Sequence, residues 1–267
     1  MTKKTNQSCM EVWVKTNRGN LYAKSWPGPQ ITQNQPPIVL LHDSLGSTQQ
    51  WRDFPMRLAD ATGHPVIAYD RLGFGKSDPH PGLLGASFIS DEAKESFSAV
   101  IEQLSIGRFI VFGHSVGGGM AVSIARAYPD QCQAIITESA QSFVEDRTLD
   151  GILVARDSFS DPSQMKRLEK HHGSKAKWVL DAWVNTWHLP EFSQWCLDED
   201  LPLVRCPILA IHGENDEYGS SRHPKRIVAL AEVPVRFECL SKCGHVPHRE
   251  QEKEVLDAIR SFIEDMH

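Results

Sequence analysis

The hydrophobic pattern divides the chain into short, continuous apolar runs and longer segments in which apolar residues recur every three to four positions. Apolar runs at 38–41, 65–70 and 109–112 are typical of strands that are buried on both faces of a parallel sheet. The segments between such runs have the period of amphipathic helices. Strands and helices that alternate in this way predict an α/β fold, a mostly parallel sheet with helices on both faces.

Further elements follow the same pattern on either side of these runs. Residues 11–16 and 21–25 flank Asn17-Arg18-Gly19-Asn20 and predict a β-hairpin of two antiparallel edge strands. Three more strands are predicted at 134–137, 207–211 and 233–240. Helices are predicted at 50–61, 91–104, 120–127, 222–231 and 250–263.

Residues 140–203 interrupt the alternation. This stretch is rich in charge and helical periodicity and contains four of the seven tryptophans, namely Trp178, Trp183, Trp187 and Trp195. An insertion of this kind predicts a helical cap on the core fold. We therefore expect an α/β core built from 1–139 and 204–267, with a cap formed by 140–203.

Composition narrows the classes of function. Hydrophobic residues make up 40% and charged residues 23% of the 267 residues, which is ordinary for a globular protein. A net charge of −6 without a long basic run argues against a nucleic-acid surface. No apolar run approaches the roughly 20 residues that span a bilayer. The polar stretch 1–7 lacks a signal-peptide pattern, so we expect a cytoplasmic protein. The partner that we expect is a small-molecule substrate.

The pattern of potential metal ligands predicts no metal and no cofactor. The six cysteines are scattered and form no Cys-x-x-Cys pair, so neither a zinc site nor a disulfide framework is expected. His42, His171 and His172 lack carboxylates at suitable spacing. The glycine-punctuated loop 71–78 has neither dinucleotide-binding nor Walker spacing.

The most informative motif follows the apolar run 109–112. Gly113-His114-Ser115-Val116-Gly117 has the pattern Gly-x-Ser-x-Gly of a nucleophile elbow, and a predicted helix follows it. Such a turn holds a serine in a strained conformation, for which flanking glycines leave room. The N-terminus of the helix directs free N–H groups to the same place, where they favour an anion. Ser115 is therefore the candidate nucleophile.

A serine nucleophile needs a base, and the base needs a carboxylate that orients it. Ile211-His212-Gly213-Glu214-Asn215-Asp216 and Ser241-Lys242-Cys243-Gly244-His245 each follow a late predicted strand. Loops at the carboxyl ends of strands converge on one crevice of an open α/β sheet. Ser115, Asp216 and His245 can therefore meet although they lie far apart in the sequence.

With these motifs the chain resembles the α/β-hydrolase superfamily, as a capped, esterase-like member with a serine nucleophile. The elbow at Ser115, the acid loop 213–216, the histidine loop at Gly244-His245 and the loop 70–77 are similar to the family's motifs, in the family's order. The resemblance implies that His245 acts as base and acid toward Ser115, while Asp216 orients the imidazole.

The resemblance also implies an oxyanion hole made of the backbone N–H groups of Val116 and Ser44. Asp43 is a departure, because the family usually has glycine at that position in the loop after the first parallel strand. A carboxylate beside a developing oxyanion is unfavourable, so we expect Asp43 to point away from it.

Several assignments have alternatives at this stage. Glu138 also follows a strand, where some members of the superfamily carry the acid, although the Gly-x-x-Asp loop favours Asp216. Trp183, Trp187 and Phe74 are candidates to line the substrate pocket, with packing in the core as the alternative for each.

A serine nucleophile favours acyl chemistry over the carboxylate-dependent chemistry of dehalogenases and epoxide hydrolases. The leading hypothesis is a carboxylesterase that cleaves a small apolar acyl ester through an acyl-enzyme. The alternatives are a carbon–carbon bond hydrolase, a lactonase, and a cofactor-free lyase or oxygenase that uses the His–Asp pair as a base. A ligand receptor that turns over slowly or not at all is a further alternative from another class.

Overall fold

The computed structural model describes residues 9–28 and 35–266, and the polar stretch 1–7 lies outside the described residues. An eight-stranded sheet runs through the molecule. Its strands are β1 (Met10–Thr16), β2 (Gly19–Trp26), β3 (Ile38–Leu41), β4 (Val66–Tyr69), β5 (Phe109–His114), β6 (Cys132–Glu138), β7 (Ile208–Gly213) and β8 (Val235–Leu240).

The strand order is β1-β2-β4-β3-β5-β6-β7-β8, and every pair from β4 to β8 is parallel. The predicted hairpin is present, with Thr16 opposite Gly19. The prediction that both of its strands are edge strands was wrong, because β2 also pairs antiparallel with β4. β2 contains three buried residues, Leu21, Tyr22 and Ala23. Such residues are covered when the strand lies inside the sheet rather than at its edge.

The described part of the chain contains ten α-helices, eight between the strands and two after β8. They are α1 (Phe54–Thr62), α2 (Phe88–Lys94), α3 (Ser96–Gln103), α4 (Val116–Ala127), α5 (Asp146–Ser158), α6 (Pro162–His172), α7 (Ala176–Trp187), α8 (Arg222–Leu230), α9 (Pro247–Glu250) and α10 (Glu252–Glu264). The helix predicted at 91–104 is two helices, because the chain breaks at Glu95 with φ −96° and ψ −81°. None of the described helices is long and apolar enough to cross a membrane.

Two hydrophobic clusters, one on each face, follow the twofold alternation of the strands. In β3, Ile38 and Leu40 belong to the cluster that α1 and α10 cover. Val39 and Leu41 belong to the other cluster, which contains α4 and the helices between β6 and β7. The predicted fold class, a mostly parallel sheet with helices on both faces, is confirmed.

The carboxyl ends of β3, β5, β7 and β8 carry the loops that the sequence singles out. His42 and Asp43 follow β3, Ser115 follows β5, the acid loop follows β7 and the histidine loop follows β8. Helices α5, α6 and α7 lie between β6 and β7 and contribute Ile152, Leu168 and Val179 to the larger cluster. These loops and this helical segment surround the candidate site.

Candidate active site

Ser115 lies at a sharp turn between β5 and α4. Its backbone has φ 57° and ψ −124°, in the left-handed range that a residue with a side chain rarely adopts. Glycines on either side make this turn possible. A Cβ at Gly113 would lie 2.0 Å from the Gly117 carbonyl oxygen, and one at Gly117 would lie 2.4 Å from that of Leu41. The elbow predicted from the sequence is therefore a strained turn that requires small neighbours.

The structure brings Asp216 and His245 together. Nδ1 of His245 lies 2.8 Å from Oδ1 and 2.9 Å from Oδ2 of Asp216. The carboxylate also accepts the N–H groups of Tyr218, at 2.8 Å, and Gly219, at 3.1 Å. Because Nδ1–H donates to the carboxylate, the neutral imidazole has its lone pair on Nε2. This is the tautomer that a base acting through Nε2 requires.

The electrostatic environment favours a proton on His245. Burial by itself lowers the pKa of His245, but its hydrogen bond to Asp216 and the charges of Asp216, Asp43 and Glu217 outweigh this and raise the pKa above its usual value. Burial also raises the pKa of Asp216, but the bond and the charge of His245 lower it overall. Asp216 therefore stays ionised and stabilises an imidazolium.

The Ser115 hydroxyl donates to Oε1 of Gln141 at a distance of 3.3 Å. Within the described ranges, no hydrogen bond joins Ser115 to His245, although both line one cavity of about 240 Å³. Rotation of the serine side chain about χ1 exchanges one acceptor for another, and catalytic hydrogen bonds often tighten only in the substrate complex. The serine and the imidazole thus share a cavity, but they are not yet hydrogen-bonded.

Two backbone N–H groups lie near this cavity, that of Ser44, which lines it, and that of Val116, which directly follows the lining residue Ser115. Val116 is the first residue of α4, so its N–H has no partner within the helix. Ser44 lines the cavity, and its backbone N–H donates no hydrogen bond to any of residues 9–28 and 35–266. Arg71 supports the Ser44 loop from behind, since its Nη2 donates to the Asp43 carbonyl oxygen at 2.8 Å. These donors suit an oxyanion.

Asp43, in the loop after β3, lines the cavity that contains Ser115. The expectation that its carboxylate points away from the oxyanion stays a prediction. Its Oδ2 lies 3.7 Å from Nδ1 of His114, and Oδ1 is buried without a hydrogen-bond partner. The side chain stays there because His114, directly before the nucleophile, offers a polar contact beneath the loop. Burial lowers the pKa of His114 to about 4, so this contact does not neutralise the carboxylate.

The aromatic candidates divide into two groups. Trp183 and Trp187 line the cavity together with Tyr218. Phe74 does not, because its ring is buried behind the oxyanion loop, with the Arg71 guanidinium 4.3 Å from its centroid and the His42 ring at 5.2 Å. Phe74 lines a small second cavity together with Ser44, Trp183 and Trp187, and its role in lining the substrate pocket stays a prediction.

Glu138, the alternative acid, is fully buried and faces another histidine. It accepts the backbone N–H of His248 at 2.7 Å and lies 2.6 Å from Nδ1 of that ring. Burial raises the pKa of Glu138, but the charge and hydrogen bonds of His248 lower it overall. His114, Glu138 and His248 are the described residues close enough to share a metal ion. Within this group, Glu138 and His248 are hydrogen-bonded through Nδ1, while Nε2 of His248 has no hydrogen-bond partner among the described residues.

Three residues that sequence reasoning missed shape the cavity. Gln141 accepts the serine hydroxyl, Tyr218 packs 4.8 Å from the His245 ring, and Glu217 accepts the backbone N–H of His245 at 3.2 Å. Tyr218 and Glu217 directly follow Asp216, so their position beside the acid was the one available signal. Gln141 follows β6 across a bend at Ser139, whose φ is 48°, and no motif marks it.

Comparisons with known proteins agree with this architecture. Residues 36–160 match the family model of the alpha/beta hydrolase fold. A proline iminopeptidase of Lactobacillus helveticus is 32% identical over 112 residues, which cover 40% of this chain and 37% of that protein. A non-heme chloroperoxidase of Streptomyces lividans is 28% identical over 235 residues, which cover 76% of this chain and 82% of that protein.

A solved serine hydrolase of Cycloclasticus zankles superimposes with a TM-score of 0.81 at 16% identity, covering 97% of this chain and 99% of that one. Several curated relatives match over less than half of their own length, between 30% and 43%. The names of the relatives include lipase, peptidase and peroxidase, so the comparisons agree on the family and differ in chemistry. From the sheet, the elbow and these matches together, we conclude that the chain has the fold of the α/β hydrolases.

Proposed function

We propose that the protein is a serine hydrolase of the carboxylesterase type, which cleaves a small acyl ester with Ser115 as nucleophile, His245 as base and Asp216 as the orienting acid. One observation carries this proposal. A serine on a strained turn lies in the same cavity as an imidazole whose Nδ1 is held by a buried carboxylate. That combination activates a hydroxyl and has no structural purpose of its own.

The proposed reaction has two halves. Ser115 Oγ attacks the ester carbonyl carbon while its proton passes to Nε2 of His245, and the resulting tetrahedral intermediate carries an oxyanion. Cleavage of the carbon–oxygen bond releases the alcohol, which takes the proton from His245. Water then attacks the acyl-serine with His245 again as base, and the acid leaves as Ser115 regains its proton. Asp216 remains ionised throughout and stabilises the imidazolium in both halves.

The N–H groups of Val116 and Ser44 are the proposed donors to the oxyanion. Both are fixed before the reaction, one by the first turn of α4 and the other by the loop that Arg71 holds. Preorganised donors need no reorientation as charge develops on the oxygen. Asp43 opposes this stabilisation, since its carboxylate lies in the same loop as the Ser44 N–H and repels the developing oxyanion.

We also propose that residues 140–203 serve as a cap that selects the substrate. Thr148 and Ile152 of α5 and Trp183 and Trp187 of α7 line the cavity opposite the catalytic loops. A cavity of about 240 Å³ suits a small acyl group. The core domain then consists of 1–139 and 204–267, and the cap closes it.

The Ser115→Ala variant tests the proposal. We expect kcat/KM for short p-nitrophenyl esters to fall by roughly 10³ to 10⁴, because the oxyanion donors alone leave residual activity. A fluorophosphonate probe should label the wild type and leave the variant unlabelled. Ser98→Ala is the matched control, since Ser98 is a half-buried serine on α3 that donates to the Lys94 carbonyl oxygen and does not line the cavity.

A second candidate function rests on the hydrogen bond between Ser115 and Gln141. In that state the Asp216–His245 pair is free to act as a base on a substrate without help from the serine. Such a lyase or cofactor-free oxygenase would retain most of its activity in Ser115→Ala and lose it in His245→Ala. The esterase proposal is contradicted if the wild type neither hydrolyses the esters nor reacts with the probe, the outcome expected of a non-catalytic receptor.

A further inference from the structure

The side chains that line the cavity of Ser115 carry a net negative charge. Asp43 and Glu217 are its acidic lining residues, and no lysine or arginine of the described chain lines it. The basic side chain among the lining residues is that of His245, and its Nδ1 is hydrogen-bonded to Asp216. A substrate in this cavity therefore meets two carboxylates and no cation among the lining residues, while the guanidinium groups of Arg71 and Arg249 act on Asp43 from outside the lining.

The two carboxylates are not neutralised by ion pairs. Within the parts of the chain that are described, neither has a lysine or arginine within 4.0 Å, and the one contact of Asp43 is the neutral His114. Arg71 binds the backbone carbonyl oxygen of Asp43 rather than its carboxylate. Glu217 is exposed, and the side chain of Asp43 is 27% exposed although its Oδ1 is buried, so a ligand in the cavity can meet Glu217 and the exposed part of Asp43.

The negative potential raises the pKa values of two neighbouring groups, Tyr218 and His245. The pKa of Tyr218 is raised to about 12 by burial and by the charges of Glu217, Asp43 and Asp216. Asp43 and Glu217 act in the same direction on His245, where they favour the protonated imidazole. A cation in the cavity would be stabilised by the same charges.

Aromatic side chains complete the surroundings. The Trp183 and Tyr218 rings lie 5.9 Å apart at 60°, so they form two inclined walls, and Trp187 lines the cavity nearby on the same helix as Trp183. Ring faces attract cations, and an ammonium group held among aromatic rings gains from them as well as from nearby carboxylates. Anionic substrates gain nothing here and are repelled.

We propose that this cavity selects esters that carry a positively charged ammonium group, held by Asp43, Glu217, Trp183 and Tyr218. The inference rests on the proposed esterase function and names its substrate class. The ammonium group can belong to the alcohol part of the ester or to its acyl part. The shared chemistry is an ester carbonyl within reach of Ser115 and a cation among the aromatic rings.

Matched pairs of esters test the inference on the wild-type protein. The first pair is acetylcholine and the acetate ester in which a tert-butyl group replaces the trimethylammonium group. The second pair is the ethyl ester of trimethylammonium butyrate and its tert-butyl counterpart. Acid release is followed in a pH-stat. We expect kcat/KM to be about tenfold or more higher for the cationic member of at least one pair. The pair that shows it identifies which part of the ester carries the charge.

Salt and variants identify the cause. Higher ionic strength should reduce the preference for the cation, because salt screens the exposed carboxylate of Glu217. Asp43→Asn and Glu217→Gln should each reduce the ratio of cationic to neutral kcat/KM by roughly threefold. Glu214→Gln is the control, since Glu214 is an exposed acid of the same loop that does not line the cavity. It should leave the ratio unchanged.

The outcomes separate this inference from the function on which it rests. Equal kcat/KM for both members of both pairs overturns the cation preference and leaves the esterase function standing. No turnover of any ester together with no fluorophosphonate labelling overturns both. The salt dependence is measured on the wild type, so a variant that fails to fold does not remove the test.

Discussion

Two histidines three positions apart in the sequence, His245 and His248, each face a buried carboxylate. His245 pairs with Asp216 and lines the cavity, whereas His248 pairs with Glu138 and is enclosed by aromatic rings. The Trp51 ring lies 4.6 Å and the Phe54 ring 5.2 Å from the His248 ring. His245 lines the cavity and His248 does not, which is the physical reason for proposing Asp216 rather than Glu138 as the catalytic acid.

This assignment predicts different results for the two acids. Asp216→Asn should lower kcat for ester hydrolysis by roughly 10⁴, because the amide removes the charge that stabilises the imidazolium and disturbs the tautomer. Glu138→Gln should leave kcat near the wild-type value and destabilise the fold by about 2 kcal/mol, since a charged buried hydrogen bond is lost. Steady-state kinetics and urea unfolding of both variants provide the comparison. A large loss of kcat in Glu138→Gln alone would reverse the assignment.

The pH dependence gives a second measurement on the same variants. His245 acts as a base when it is neutral, and its pKa is raised, so wild-type kcat/KM should rise with pH through a midpoint above 6.5. Asp216→Asn removes the strongest influence that raises this pKa, so the residual activity should appear at lower pH. Glu138→Gln should leave the midpoint in place. A wild-type profile that stays flat down to about pH 4 argues against His245 as the base.

At the scale of elements, the close approach of α4 to β3 holds Ser115 beside the Ser44 loop. Gly117 in the first turn of α4 faces the carbonyl oxygens of Leu41 and His42, at 2.4 Å and 3.0 Å from where a Cβ would be. Leu41 is the last residue of β3, and the Ser44 loop begins directly after it. A side chain at Gly117 would therefore separate the two sources of oxyanion donors.

We expect Gly117→Ala to lower the free energy of unfolding by about 2 to 3 kcal/mol, because the added methyl group overpacks a backbone contact. Ester turnover should fall as well, since α4 and the Ser44 loop move apart. Gly107→Ala is the matched control, because a Cβ there meets nothing within 4 Å. Urea unfolding of both variants and assay of the folded protein measure the two effects, and equal stability of the two variants would contradict the packing argument.

The elements also show what could be predicted from the sequence. Continuous apolar runs predicted the parallel strands, and loops at the ends of β5, β7 and β8 pointed to Ser115, Asp216 and His245. Contacts between distant segments were not predictable from local patterns. Examples are the pairing of β2 with β4, which places β2 inside the sheet, and the contact between Ser115 and Gln141, which depends on the bend at Ser139.

For the whole molecule, the helical segment between β6 and β7 shares its apolar core with the sheet. Ile152, Val179 and Trp187 belong to the same buried cluster as Val111 and Met120. Polar contacts add to this attachment. Asp200 accepts from Ser123 at 2.8 Å and forms an ion pair with Arg126, both on α4. The segment is inserted in the sequence, but it is packed as part of one hydrophobic core.

A shared core predicts that the cap and the sheet unfold together. Four of the seven tryptophans lie in residues 140–203, so tryptophan fluorescence reports mainly on the cap, while far-ultraviolet circular dichroism reports on the whole fold. We expect the two urea transitions to coincide, as in a two-state transition. Asp200→Ala removes the contacts to α4 and should move both transitions to lower urea by the same amount, corresponding to about 1 to 2 kcal/mol. A fluorescence transition that precedes the circular dichroism transition would mean that the cap opens as a separate unit, because the cluster around Trp187 would then be weaker than the core beneath α4.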